Sequence, residues 1–442
     1  MYGNLFELRN RCLTQALTLG GRPVKRDNLR ILVIGGGGRE HALVWKLKAS
    51  PRVSRVYAAP GNPGMHGLAE CVSISVNDVH QLACFALQNH VDLAVVGPEA
   101  PLALGVSDEF ARLGMPVFGP TRAAASIETS KVWAKQFMSR HRIPTADYSI
   151  FRDVDAAKRY VRAHGSPVVV KADGLAAGKG VVVAHTPDEA EQAVDTISHF
   201  AEDAEIIVED CLIGREASFL VITDGISVLP LISAKDHKRA KDGDKGPNTG
   251  GMGAIVPAPG FDASLEAEIL EEIIMPAIRG LSAEGRRYVG VLYAGLMLTS
   301  QGPMALEFNA RFGDPETQAI LPMMESDLVD LLEAAVEGTC SSMGINWRGG
   351  ACVCVVAASL GYPENPQLGK EIFIDEDRAE KDGVLIFHAG TRLDEETLVT
   401  SGGRVLNVVS TGGSVEEAAS RAYRGLSHVS FEGMWFRNDI GS

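Results

Sequence analysis

A chain of 442 residues is too long for one compact core and predicts about two to four domains. Its composition, 45% hydrophobic and 22% charged, is that of an ordinary globular protein, and a net charge of −14 without a basic run argues against a nucleic-acid partner. No apolar stretch approaches the roughly 20 residues needed to cross a bilayer. The seven cysteines are scattered with no C-x-x-C pair, which argues against structural zinc and fits a reducing, cytoplasmic setting. The first 28 residues stand apart. Leu5, Leu8, Cys12 and Ala16 could share a helix face beside Arg9 and Arg11, but Glu7 interrupts the acid-poor pattern of a transit peptide. Residues 1–28 therefore read as an extension outside the fold.

Order begins at Leu29. The apolar run 31–34 predicts a strand buried on both faces of a parallel sheet, followed by glycines 35–38 and a helix over 39–48. Strands at 53–58, 93–96 and 117–118, alternating with helical segments, make 29–130 a doubly wound α/β domain. A helix over 130–141 ends before Pro144. Strands at 168–171 and 181–183 flank a glycine-rich loop, and others fall at 206–209, 219–223 and 228–230. The polar stretch 235–253 is long for a structureless connection, and such loops are usually functional. A helix over 265–281 leads to strands at 292–298 and 304–308. From 341 onward, strands at 352–358, 384–389 and 405–409 and a helix over 414–427 predict a small α+β domain.

Six constellations carry possible chemistry. The turn Gly35-Gly36-Gly37-Gly38 with Arg39 and Glu40 joins a buried strand to a helix, where backbone N–H groups can meet a phosphate. A dinucleotide site would need a third glycine and a ribose-binding acid after the second strand, and both are missing. Asn62, Pro63 and Gly64 follow the second strand, and Gly97-Pro98-Glu99 a later one. Three turns at one sheet edge suit a phosphosugar, with Glu99 accepting from hydroxyls. In the segment 171–180 a glycine-rich hairpin, not a Walker A loop, can cover a triphosphate. Gly174, Gly178 and Gly180 supply N–H groups, Lys171 and Lys179 supply charge, and Lys131 is a further candidate. Glu209 ends a strand and opens toward Leu212, where backbone groups could meet adenine, and Glu216 could take ribose hydroxyls. Glu307 and Asn309 share a strand face and present hard oxygens as Mg²⁺ requires, with Arg311 able to clamp a carboxylate. Finally, the loop from Asp236-His237-Lys238-Arg239 to Gly250-Gly251-Met252-Gly253 suits an ordered polar site for anions.

Together these residues resemble the phosphoribosylamine–glycine ligases (glycinamide ribonucleotide synthetases) of the ATP-grasp superfamily, over residues 29–440. The most specific stretches are 35–43, 171–181, 236–253 and 306–318. The Asp-His-Lys-Arg loop ending in Gly-Pro-Asn-Thr-Gly-Gly-Met-Gly sets this family apart from other ATP-grasp ligases. The resemblance implies a two-lobed ATP-grasp α+β core over 131–340, with a flap lobe at about 145–212, between the N-terminal doubly wound parallel-sheet domain and the C-terminal domain over 341–442. It implies ATP with Mg²⁺ or Mn²⁺, glycine and 5-phosphoribosylamine as small-molecule substrates, and a monomer or weak homo-oligomer. Glycine would be activated as an acyl phosphate, with metal on Glu307 and Asn309, Lys131 and Lys171 neutralising phosphates, and Arg311 on the glycine carboxylate. Asp236 and Lys238 would serve the glycine and phosphoribosylamine side. Two positions depart from many relatives: Arg215 stands where a second acid is frequent, and Gly295 where other ATP-grasp enzymes carry another acid, which leaves the number of metal ions open.

Three competing readings are distinguishable. Another ATP-grasp enzyme, a carboxylase or a formate-using ligase, would lack the 236–253 loop. A nicotinamide-dependent oxidoreductase would need the missing glycine and acid. A non-catalytic ATP-binding regulator need not keep Glu307, Asn309 and Arg311 together.

Overall fold

The apolar run after Arg30 becomes β1 (Leu29–Gly35), and Ile31, Leu32, Val33 and Ile34 are all fully buried in the structure, a computed structural model. It describes residues 26–175, 180–200 and 205–442. β1 runs parallel to β2 (Val53–Pro60) and β4 (Leu93–Val96), with β3 (Glu70–Cys71) and β5 (Val117–Phe118) outside them, in the order β3-β2-β1-β4-β5. Alternate residues of β1 enter different cores: Ile31 and Val33 pack with the helix Gly38–Lys48, Leu32 and Ile34 with Leu82 and Phe110 on the other face. The strand order reverses between β1 and β4, so the turns after them, Gly36–Gly38 and Gly97–Glu99, flank the switch-point crevice.

The helix Lys131–Arg140 starts where the Ser130 hydroxyl accepts from the Trp133 N–H at 3.1 Å. Beyond it, β6 (Tyr148–Phe151), β7 (Val168–Ala172), β8 (Val181–Ala184) and β9 (Ile206–Asp210) form an antiparallel sheet in the order β6-β9-β7-β8. Its core of Val168, Val170, Ile206 and Val208 packs on the helices Val154–His164 and Pro187–Phe200. Chain order continues with β10 (Arg215–Thr223), β11 (Val228–Pro230), β12 (Lys235–Asp236), β13 (Arg239–Lys241), β14 (Lys245–Asn248), β15 (Gly253–Val256), β16 (Gly290–Thr299) and β17 (Gly302–Asn309). The second lobe is the antiparallel sheet β11-β10-β16-β17.

Two local expectations change. The stretch 235–253 is not structureless: β13 and β14 pair as a hairpin, while β12 and β15 join the C-terminal sheet through β18 (Ala351–Ala358). That sheet runs β12-β15-β18 and then the strands Arg404–Gly412 and Val384–His388, so it binds the middle of the chain to its end. The helix over 265–281 is interrupted by a π turn at Leu270–Ile274 before resuming as Met275–Ala283. Pro276 has no N–H for the ladder and its ring crowds the carbonyl one turn back, which widens that turn. Cys352 and Cys354 are fully buried core side chains of β18.

Candidate active site

A cleft of about 470 Å³ opens where the parallel sheet, the two four-stranded antiparallel sheets and the C-terminal sheet meet. An adjoining cavity of about 490 Å³ lies along the chain leaving β9 and the start of β10. Lys171, Glu209, Asp236, Lys238 and Glu307 line both.

β17 alternates as its sequence requires: Phe308 is 2% exposed in the core, while Glu307 and Asn309 face the cleft. Glu307 sits opposite Gly295 of β16, where an added Cβ would lie 3.2 Å from its Cγ. The glycine at 295 thus leaves room for the Glu307 side chain. The Glu307 carboxylate is ringed by cations. Lys238, whose Nζ is 3.5 Å away, holds its pKa at about 2 against burial, with help from Lys171 and Lys131. Lys238 also lies 3.7 Å from Glu216. Burial alone would lower the Lys238 pKa, but Glu307, then Tyr293 and Glu216, raise it well above the usual value.

Arg311 lies between two acids. Its Nε is 2.9 Å from Glu99 and 3.1 Å from Glu128, Nη1 donates to the Phe312 carbonyl at 3.1 Å and Nη2 to Asn309 Oδ1 at 3.3 Å. Each guanidinium nitrogen therefore has a protein acceptor, and two of the five N–H donors remain for a ligand. Burial opposes the charge, yet Glu128 and Glu99 raise the Arg311 pKa far above its ordinary value. Burial pushes the Glu128 carboxyl up, its other oxygen accepting from the Ala310 N–H at 2.6 Å. Glu99 is held below the usual carboxylate range by Arg311 and Arg39 despite burial.

The lysines meet the cleft differently. Lys131 donates to the Gly174 carbonyl at 2.6 Å, with its pKa lowered by burial. Lys171, at the end of β7, pairs with Glu209 Oε1 at 2.8 Å; Lys135 pairs with Oε2 at 2.8 Å. The Glu209 carboxylate is thus enclosed by two ammonium groups. Leu212 and Glu216 line the second cavity, Glu216 with a half-exposed side chain. Arg215 also lines that cavity and donates to the Pro259 carbonyl at 3.1 Å. Gly180 lines the cleft, and Gly178 and Lys179 lie outside the described residues.

On the far wall, Asp236 Oδ1 is buried without a hydrogen-bond partner among the described residues. Burial, then the nearby Glu316 carboxylate, push its pKa well up. Glu316 Oε1 accepts from Tyr293 Oη at 2.5 Å and Ser218 Oγ at 2.9 Å. The C-terminal sheet adds Arg404, which donates to the carbonyls of Gly250 and, at 2.9 Å, Asp314, while the Tyr362 hydroxyl accepts from the Gly250 N–H at 2.9 Å.

The expected phosphosugar turns are only partly in the cleft. Arg39 and Glu99 line it. Glu40 instead fills the turn beside it, accepting from the Gly37 N–H at 2.7 Å and from Arg39 Nε at 2.6 Å while 2% exposed. The anion at this helix start is the protein's own carboxylate, and a Cβ on Gly35 or Gly97 would stand 2.4 or 2.2 Å from its atoms. A Cβ on Gly38 would meet Asn407 at 2.3 Å, so that turn is packed against the C-terminal sheet. Asn62 is equally engaged: its amide donates to the Gly36 and His388 carbonyls at 2.9 Å each and accepts from the Gly64 N–H at 3.0 Å. Pro63 and Gly64 lie in the short 3₁₀ turn that Asn62 caps, against His41 and His388. Gly37, Gly38, Glu40, Asn62, Pro63 and Gly64 do not line this cleft.

Glu128, Lys135, Glu316, Tyr362 and Arg404 were not singled out from sequence. Lys135 and Glu316 carry one local hint each, a lysine one helical turn beyond Lys131 and an acid five residues beyond Arg311; the others have no local signal.

Comparison with known proteins matches three parts of the chain to one family. Residues 29–128 match the N domain of phosphoribosylglycinamide synthetase, 129–317 its ATP-grasp (A) domain and 352–442 its C domain. A phosphoribosylamine–glycine ligase of Brucella melitensis is 49% identical, over 93% of this chain and 97% of that one. The crystal structure of the Thermotoga maritima phosphoribosylamine–glycine ligase superposes with a TM-score of 0.82 at 33% identity, covering 93% of this chain and all of that one. At 15% identity and a TM-score of 0.68, the fold is shared with the biotin carboxylase domain of the Hydrogenobacter thermophilus 2-oxoglutarate carboxylase, solved with MgADP and bicarbonate, with 93% and 92% of the two chains covered. The chain belongs to the phosphoribosylglycinamide synthetase family.

Proposed function

We propose that this cleft joins glycine to 5-phosphoribosylamine at the expense of ATP, giving glycinamide ribonucleotide, ADP and phosphate in purine synthesis, in a cytosolic monomer or weak homo-oligomer. The observation that carries the reading is the charge layout along β17: an ionised Glu307 beside Asn309, ringed by Lys238, Lys171 and Lys131, with Arg311 keeping two N–H donors free.

The adenosine belongs in the 490 Å³ cavity, with backbone groups near Leu212 against adenine and Glu216 against the ribose. Lys171 and Lys131 meet the phosphates as point charges. A divalent cation, Mg²⁺ or Mn²⁺, fits Glu307 and Asn309. Both would offer the ion hard oxygens from the cleft wall. When bound, such an ion neutralises phosphate charge and orients the triphosphate.

Arg311 holds the glycine carboxylate so that one oxygen attacks the γ-phosphorus, the bond to ADP breaks, and glycyl phosphate forms. The phosphoribosylamine nitrogen then attacks the glycyl carbonyl carbon, phosphate leaves with the C–O bond electrons, and the nitrogen gives up a proton to the departing phosphate. Arg39 and Glu99 serve the phosphoribosyl group. Asp236 offers its unpartnered oxygen to a substrate ammonium, whose charge would restore the ionised carboxylate. Catalysis is positioning and charge neutralisation, with no covalent enzyme intermediate. Replacing glycine by bicarbonate or formate tests the substrate: ADP release should vanish with both, and release with either would overturn the assignment.

A further inference from the structure

Lys135 is used by nothing described so far, yet it is one of the most enclosed charged groups of the cleft. Its side chain is 3% exposed, as is that of Glu209, and Lys171 is 8% exposed. Its Nζ lies 2.8 Å from Glu209 Oε2 and donates to the Thr145 hydroxyl at 2.7 Å; that hydroxyl donates to the Ala305 carbonyl of β17 at 2.6 Å. The other Glu209 oxygen is 2.8 Å from Lys171 Nζ, which also reaches the Leu306 carbonyl at 3.4 Å. One ammonium therefore ties the helix Lys131–Arg140 to β9 of the first lobe and, through Thr145, to β17 of the second. Two lysines around one carboxylate leave a net positive charge in a dry corner, a costly arrangement for stability alone.

We propose that Lys135 is a positioning residue: by neutralising and orienting Glu209, it fixes the Lys171 ammonium where ATP phosphates arrive. The inference rests on the ATP-dependent reading above. Without Lys135, Glu209 carries an uncompensated charge that draws Lys171 fully to itself and away from the nucleotide. The groups facing Lys135 are Glu209 of β9, Lys171 of β7, Glu307 of β17 and the Tyr148 ring of β6, 5.9 Å from Nζ. Burial chiefly, and then Lys171, lower its pKa to about 8 against the pull of Glu209 and Glu307. The ammonium is thus present below pH 8 and lost above it.

The test is steady-state kinetics of the full chain with ATP, glycine and phosphoribosylamine. Lys135→Met should raise the KM for ATP about tenfold or more while leaving the KM for glycine within about twofold. In a Glu209→Gln background the same substitution should change the ATP KM by less than about twofold, because there is no longer a carboxylate to compensate. In the wild type, kcat/KM for ATP should fall above pH 8 and level off near the value of Lys135→Met, which should lack that limb. An unchanged ATP KM in Lys135→Met, or an equal loss with and without Glu209, would overturn the proposal. If Lys135→Met does not fold, Lys135→Gln and the wild-type alkaline limb decide. A wild type that releases no ADP would instead overturn the ATP-dependent reading itself.

Discussion

Replacing Arg311 by methionine separates what this side chain does for the fold from what it does for glycine. Arg311 compensates Glu99 at 2.9 Å and Glu128 at 3.1 Å, and its removal leaves two neighbouring acids with only Arg39 to compensate them. Breaking a buried pair by deleting one partner costs about 3–5 kcal/mol. The cleft leaves the Arg311 side chain 19% and that of Glu99 32% exposed, so a loss of about 3 kcal/mol at pH 8 is expected. The loss should shrink with acidity. Glu128 is already pushed up by burial, and without the guanidinium both carboxyls in the folded state take up protons at a higher pH than in the unfolded chain. The folded variant then binds more protons than the unfolded one, and its stability relative to the wild type rises as pH falls from 8 to 5.5. Urea unfolding at the two pH values measures this, and adding Glu128→Gln should recover part of the loss at pH 8. On the functional side, two charged hydrogen bonds to the glycine carboxylate disappear, and the KM for glycine should rise about a hundredfold while that for ATP stays within about threefold. A stability loss under about 1 kcal/mol with no pH dependence would refute the compensation argument. An unchanged glycine KM would refute the clamp.

Other substitutions address other parts of the account. Glu307→Gln should lower ADP release by about a hundredfold or more and raise the metal concentration needed, with little change in melting temperature, because the side chain is 39% exposed to the cleft. Burial lowers the pKa of His41 to about 3 and of His237 and His388 to about 4. The unfolded chain therefore takes up protons near pH 6.5 that the folded one refuses, and stability should fall by up to about 2 kcal/mol per histidine between pH 6.5 and 5. A flat urea-unfolding profile over that range would contradict it. Gly97→Ala places a Cβ 2.2 Å from Glu40 Oε1 and should cost about 1–3 kcal/mol in thermal unfolding, with Glu40→Ala costing less in that background than alone.

What could be read in the sequence was what repeats locally. The four buried residues of β1, the alternation that sends Phe308 inward and Glu307 and Asn309 outward, and the apolar lead into Lys171 are short-range patterns that burial enforces. What escaped is long-range. Glu128 reaches Ala310 across 182 residues from a helix of only four residues, and Arg404 touches Gly250 across 154. β12 and β15 are short, and the partner of β15, β18, lies about a hundred residues on, so nothing near them marked a sheet. Glu40 and Asn62 looked ligand-facing because polar residues in turns usually are. Both are buried: Gly35 and Gly97 leave room for Glu40, and backbone groups satisfy both side chains.

The most direct test of the central claim is to follow labelled glycine and ADP together, with ATP, Mg²⁺ and freshly made phosphoribosylamine, omitting each component in turn. The account predicts that ADP and a phosphorylated glycine amide appear in equal amounts and only when all are present. ADP release without phosphoribosylamine at the full rate, or amide formation without ATP, would contradict it.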